Sequence, residues 1–249
     1  MTGADPVAGE PPAADSLYFR QLLAGRDFAG GDSVARQMVN FAYLIGDRAT
    51  GEAVAVDPAY APSELVSIAE EDGMRIVGAL ATHYHADHVG GNLFGHEIAG
   101  LAQLLEQASV PVHVQRAEAR WVTRATGLGP ADLVEHEPGD VVLVGSVSVQ
   151  LVHTPGHTPG SQCFLVEGRL VAGDTLFLNG CGRTDLPGSD AAQMYDSLFN
   201  TLSHLPGSTV VYPGHLYSEE PSATLEETKR WNPVLAPRSP QEWLRVFGA

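Results

Sequence analysis

Thr82-His83-Tyr84-His85-Ala86-Asp87-His88-Val89-Gly90-Gly91 follows directly on the apolar run 76–81, which reads as a buried strand. Side chains two apart in an extended chain point the same way, so His83 and His85 can converge on one ion beyond the strand end. Asp87 and His88 come next in the turn and can face a second position beside the first. Gly90 and Gly91 permit a tight turn into the following element. Imidazole suits zinc, iron and similar ions, and a carboxylate adds negative charge for a second divalent cation. A solvated polar loop accounts for one histidine. Three within six residues, with an aspartate at a strand end, have metal binding as their ordinary meaning.

Further ligand types stand at other strand ends. His157 lies in His153-Thr154-Pro155-Gly156-His157-Thr158-Pro159-Gly160-Ser161, after the alternating run 147–152, and two Pro-Gly pairs there make a rigid turn. Asp174 ends the apolar run 170–172 in Gly173-Asp174-Thr175, and His215 ends 209–212 in Pro213-Gly214-His215. Each alone reads as structural, because an aspartate after a glycine often caps a turn. Their shared placement at the C-terminal ends of apolar strands makes a common site the better reading, since sheets present ligands there.

The remaining pattern alternates strands and helices. Runs 39–45 and 53–56 flank the turn formers 46–51 and predict a hairpin, as do 141–144 with 147–152 and 163–166 with 170–172. Ser63 is expected to cap a helix with the face Leu65, Val66, Ile68 and Ala69, ending at Gly73. A second helix is expected over 97–107, with Ile98, Leu101, Leu104 and Leu105 at helical spacing. Asp190 and Gln193 have capping-box spacing before Met194, Leu198, Leu202 and Leu205, and Ser239-Pro240 opens a helix carrying Trp243, Leu244 and Phe247. The class is therefore α+β, with helices covering sheets. Residues 1–16, rich in Ala, Pro and Gly, read as a disordered tail, and 17–249 as one domain.

Composition narrows the partners. At 44% hydrophobic the chain of 249 residues can build a core, and its net charge of −16 opposes nucleic acid and anionic membrane surfaces, which need Lys and Arg. Two cysteines without a CxxC pair make no disulfide scaffold. The N-terminus shows neither the basic nor the apolar region of a signal peptide, and no uncharged apolar run approaches the ~20 residues of a membrane span. A cytoplasmic protein without membrane or nucleic-acid partners is the expectation; assembly as a homodimer stays open.

The set HYHADH, HTPGHTPGS, GDTLF and PGH resembles the metallo-β-lactamase superfamily, in order and approximate spacing, over 19–235. The resemblance implies an αββα sandwich of two mixed β-sheets flanked by helices, with the site at the edge between the sheets. It implies His83, His85 and His157 as ligands of a first metal ion, Asp87, His88 and His215 as ligands of a second, and Asp174 as the bridging carboxylate. His96, His113, His136, His153 and His204 match no ligand position and are read as structural. A carboxylate at 174 is more like glyoxalase II than like most true β-lactamases.

Asn179-Gly180-Cys181-Gly182-Arg183-Thr184-Asp185 is similar to a segment of persulfide dioxygenases and of some glyoxalase II-like hydrolases. Tyr217 matches a tyrosine near the substrate in both groups. Arg183 and Tyr217 are thus candidate contacts for an anionic or thiol-linked small molecule, with an ion pair to Asp174 or Asp185 as the alternative role for Arg183. Cys181 has no base beside it and reads as a packed thiol. Against the resemblance, the stretch after His215 is short for the helical extension of full-length glyoxalase II, and 95–107 looks like an added helix. The favoured expectation is a hydrolase with two divalent ions, zinc above all, whose metal-bound hydroxide, held by Asp87 and Asp174, cleaves a thioester or related ester. The alternative is one Fe(II), held by His83, His157 and Asp174, in a dioxygenase that oxidises a low-molecular-weight thiol persulfide.

Overall fold

A computed structural model describes residues 16–237 and 239–247. The expected tail lies outside the described residues except for Ser16, which is buried and whose carbonyl accepts from Arg48 N at 2.8 Å. The first half runs β1 (Leu17–Leu23), α1 (Ser33–Met38), β2 (Phe41–Asp47), β3 (Glu52–Val56), α2 (Pro62–Glu71) and β4 (Arg75–Leu80). Next come α3 (Ala86–Val89), β5 (Gly91–Leu93), β6 (His96–Ile98), α4 (Leu101–Gln107), β7 (Val112–Gln115), α5 (Arg116–Thr126) and β8 (Leu133–His136). The second half holds β9 (Val141–Val144), β10 (Val147–His153), β11 (Gln162–Val166), β12 (Arg169–Gly173) and α6 (Ala191–Asp196). It closes with β13 (Val210–Pro213), β14 (Ala223–Thr224), α7 (Leu225–Trp231) and α8 (Pro240–Phe247).

Two mixed six-stranded sheets result, in the orders β1-β2-β3-β4-β7-β8 and β14-β13-β12-β11-β10-β9. Period-two alternation decides what lies between them. Phe41, Tyr43 and Ile45 of β2 pack with Val149, Leu151 and Phe164 from the other sheet, while Ala42 and Leu44 turn to Leu65 of α2 and Leu101 of α4. Both faces of β2 are therefore covered, and its run is buried throughout. On the far side of the second sheet, Leu170, Ala172 and Val211 meet Met194, Leu198 and Trp243. Three apolar clusters separate four layers, the αββα sandwich expected.

Strand direction places the ligand-bearing ends together. β10 and β12 are each antiparallel to β11, and β13 is parallel to β12, so all three point the same way. Their C-terminal ends carry His157, Asp174 and His215 to one edge. Gln162 ties that edge to the first sheet, its N donating to Thr82 O at 2.9 Å and its Nε2 to Ala81 O at 2.8 Å.

Several local expectations change. The expected helix over 97–107 begins only at Leu101, because Gly91–Leu93 and His96–Ile98 pair as a hairpin. Its two-residue turn, Phe94-Gly95, has φ of +50° and +90°, the primed-turn geometry that glycine makes accessible. Ser63 lies inside α2, which starts at Pro62 after Ala61 without a side-chain cap. Asp190 does cap α6, accepting from Ala192 N and Gln193 N, but its own N–H donates to Gly156 O, so no reciprocal box closes. The helices α1, α3, α5 and α7 go beyond the sequence expectations.

Candidate metal centre

The structure brings His83, His85, Asp87, His88, His157, Asp174 and His215 into one centre. The donor atoms of His83, His85 and His157 lie within 4.8 Å of one another, as do those of Asp87, His88 and His215. Asp174 stands between the two sets. Its Oδ2 is 3.6 Å from His157 Nε2, and its Oδ1 is 3.4 Å from both His88 Nε2 and His215 Nε2, out of line for a hydrogen bond.

Outward hydrogen bonds orient the rings. His157 Nδ1 donates to Arg183 O at 2.9 Å and His215 Nδ1 to Met38 O at 2.7 Å. His88 Nδ1 donates to Asp57 Oδ2 at 2.9 Å, and His83 Nδ1 lies 3.0 Å from Thr82 Oγ1. A proton held at Nδ1 leaves Nε2 facing inward, the arrangement in which a histidine serves a metal. His85 differs, presenting Nδ1 at 3.0 Å from His157 Nε2.

Two buried atoms here, His83 Nε2 and Asp174 Oδ1, have no hydrogen-bond partner among the described residues. Such atoms are costly unless something binds them, and both point to a cation. The donor set, histidine with carboxylate, fits zinc or iron. Asp57 also lies near His83 and His88, but it already accepts from Thr82 N (2.8 Å), Thr82 Oγ1 (2.5 Å) and His88 Nδ1, so it orients rather than ligates.

Electrostatics separates the two sets. Burial leaves His83 well below the usual imidazole range, with His88 and His85 reinforcing it, and takes His85 to about 4 with help from His157. At His88 and His215 burial also pulls down, but Asp174 and Asp87 outweigh it and raise both. Asp174, pushed up by burial, is held well below the carboxylate range by His215 and His88. Asp87 and Asp174 thus set the second pair of imidazoles apart from the first, and its two Nε2 atoms lie 3.2 Å apart.

Three positioning groups escaped the sequence reading. Asn40 Nδ2 is 3.1 Å from Asp87 Oδ2, 3.2 Å from His88 Nε2 and 3.4 Å from His215 Nε2. Asp57, directly after β3, accepts from Thr82 and His88 as described above. Glu118, buried on α5, accepts from Tyr84 N (2.8 Å), Thr158 Oγ1 (2.8 Å) and Gly160 N (2.7 Å), tying together the loops that carry His85 and His157. A lone polar residue in an unrecognised helix leaves no sequence signal.

The centre opens into a cavity of about 950 Å³ lined by His85, His157 and Asp174, and both candidate substrate contacts border it. Tyr217 stacks on His215 (4.7 Å, 8°) and meets Phe177 edge-on. Its phenol is pushed up to about 12 by burial and by Asp174 and Asp87, so it stays protonated. Arg183 forms a two-pronged pair with Asp185 at 2.8 and 2.7 Å, the ion-pair role held open for it. Burial pushes the Cys181 thiol to about 12, in keeping with a packed thiol. Elsewhere His153 bonds Pro159 O, His113 bonds His136, and His96 and His204 are exposed, all away from the centre.

Known proteins resemble this chain in sequence and fold. The metallo-beta-lactamase superfamily profile matches residues 36–215. The human mitochondrial persulfide dioxygenase ETHE1 is 34% identical over 238 residues, covering 92% of this chain and 86% of that protein. The cytoplasmic hydroxyacylglutathione hydrolase of Arabidopsis thaliana is 36% identical over 186 residues, covering 72% of this chain and 64% of the hydrolase. The crystal structure of ETHE1 from Myxococcus xanthus superposes with a TM-score of 0.75 at 32% identity, over 93% of this chain and 90% of that one. The chain belongs to the metallo-beta-lactamase superfamily.

Proposed function

We propose that this metallo-enzyme is a mononuclear iron persulfide dioxygenase, oxidising the terminal sulfur of a low-molecular-weight thiol persulfide with O₂. Coverage carries the reading. At similar identity, the likeness to the human dioxygenase runs through 86% of that protein, whereas the likeness to the plant hydrolase spans 64% of it. This reverses the preference drawn from the motifs alone, which are common to both reactions.

His83, His157 and Asp174 would hold the ion as a two-histidine, one-carboxylate face. Iron bound there supplies open positions for O₂ and the persulfide sulfur. Thr82 and the Arg183 carbonyl fix the two rings in the ligating tautomer. Tyr217, protonated and half-exposed on the cavity, is placed to donate a hydrogen bond to the anionic sulfur. Phe177, Met38 and Leu186 keep the sulfur end apolar and exclude water. Asn40 Nδ2 reaches Asp87 Oδ2, His88 Nε2 and His215 Nε2 and orients the second set.

A two-ion thioester hydrolase is the second reading, favoured by the convergence of Asp87, His88 and His215. Elemental analysis with an oxygen electrode separates them on one sample. About one iron per chain, with oxygen uptake on glutathione persulfide, is expected. Two zinc ions per chain, thioester cleavage and no oxygen uptake would replace the dioxygenase by the hydrolase.

A further inference from the structure

One wall of the cavity is built by elements that carry none of the candidate metal ligands. Trp121 and Arg124 come from α5, and Phe94 from the tip of the β5–β6 hairpin. Tyr84 stacks on Trp121 at 5.0 Å and 21°, and the Arg120 guanidinium lies 5.2 Å over the same indole. The indole is thereby held in place where it borders the cavity. Phe94 is 93% exposed, an orientation fixed by the turn at Phe94-Gly95. An exposed phenyl on a cavity rim is suited to an apolar ligand surface.

The charges on this cavity are not equivalent. Arg183 is neutralised by Asp185, whereas Arg124 makes no hydrogen bond or ion pair among the described residues. In a chain of net charge −16, whose long-range field repels anions, an unpaired guanidinium beside the centre is the place where a negative group can be held. At about 950 Å³ the cavity is at the upper end of small-molecule sites, with room for far more than a persulfide sulfur.

We infer that Phe94, Trp121 and Arg124 form a carrier subsite: the thiol carrier lays an apolar segment on the two aromatic rings and its anionic terminus on Arg124. Carboxylate and phosphate termini share this chemistry. The inference rests on the thiol-linked substrate proposed for the site, but not on whether the reaction is oxidation or hydrolysis.

Binding of unreactive thioethers tests it. S-hexyl glutathione presents carboxylates, S-hexyl coenzyme A phosphates, and S-hexyl N-acetylcysteamine no charge. Each is titrated calorimetrically into the metal-loaded wild-type chain, Arg124→Gln and Phe94→Ser. Arg124→Gln is expected to weaken one or both anionic probes about tenfold and to leave the neutral one unchanged, and the probe that suffers identifies the terminus. Phe94→Ser is expected to weaken all probes that bind. Unchanged anionic affinities in Arg124→Gln, or a wild-type chain that binds none of the three, would overturn the subsite. The probes contain neither persulfide nor thioester. Absent oxygen uptake would thus remove the dioxygenase reading and leave an Arg124 effect standing.

Discussion

Asp57 does not line the cavity, yet three donors converge on its carboxylate: Thr82 N, Thr82 Oγ1 and His88 Nδ1. One acceptor therefore fixes both the start of the His83–His88 segment and the tautomer of its last ring. Removing it also frees Thr82 Oγ1, the partner of His83 Nδ1, so that the His83 ring can rotate or exchange its proton between nitrogens. Asp57→Ala should weaken metal binding about 10–100-fold in a chelator competition while circular dichroism shows a folded chain. Unchanged affinity would mean that the ring is held by its other neighbours. Gly214 acts through space alone: a Cβ there would meet Asp174 Oδ1 at 2.4 Å and His88 Cε1 at 3.0 Å. Gly214→Ala should displace Asp174, lower the melting temperature by an amount equivalent to about 1–3 kcal/mol, and weaken metal binding in the same titration. A variant that keeps wild-type metal affinity would show that Asp174 has room to move.

At the scale of elements, α5 ties together the loops that carry His85 and His157 without supplying a ligand, and it was not visible beforehand. Its residues are largely charged or polar, and only Glu118, Ala119 and Val122 are buried, so the apolar period that reveals a helix is almost absent. The histidine segment was legible for the opposite reason: a dense cluster of one ligand type after an apolar strand has few other meanings. Hairpins at Gly145-Ser146 and Glu167-Gly168 were equally plain, since two short turns separate alternating runs. Glu118 gives α5 a pH signature. Burial, the dominant influence, raises its carboxyl to about 7 against the hydrogen bonds from Thr158, Tyr84 and Gly160. A carboxyl raised on folding contributes stability that is fully present below its unfolded value of about 4.5 and is lost as pH climbs through about 7. The window is worth about 3 kcal/mol. Urea unfolding of the metal-free chain should therefore show a wild-type advantage over Glu118→Gln that is larger at pH 5 than at pH 7.5. An advantage that grows with pH instead would mean that the ionised carboxylate is the favoured folded form.

Across the whole molecule, the centre joins the two sheets. His83, His85, Asp87 and His88 follow β4 of the first sheet, while His157, Asp174 and His215 follow β10, β12 and β13 of the second. The placement of these residues at strand ends was legible from sequence. Their meeting was legible too, from that shared placement and the resemblance, but not the strand directions behind it, two antiparallel steps and one parallel step within the second sheet. An ion bound across this edge meets its full ligand set only in the folded chain, so occupancy converts directly into stability. At a free metal concentration about 100 times the dissociation constant the gain is about 2.7 kcal/mol. For a domain of this size that corresponds to a melting temperature about 5–10 °C higher than in excess chelator. Asp174→Ala removes the carboxylate between the two donor sets, so its melting temperature should not respond to metal and its activity should vanish. Differential scanning calorimetry of both chains, with and without metal, reads the comparison. Equal wild-type transitions in metal and in chelator would show that the sheets are joined at this edge without an ion.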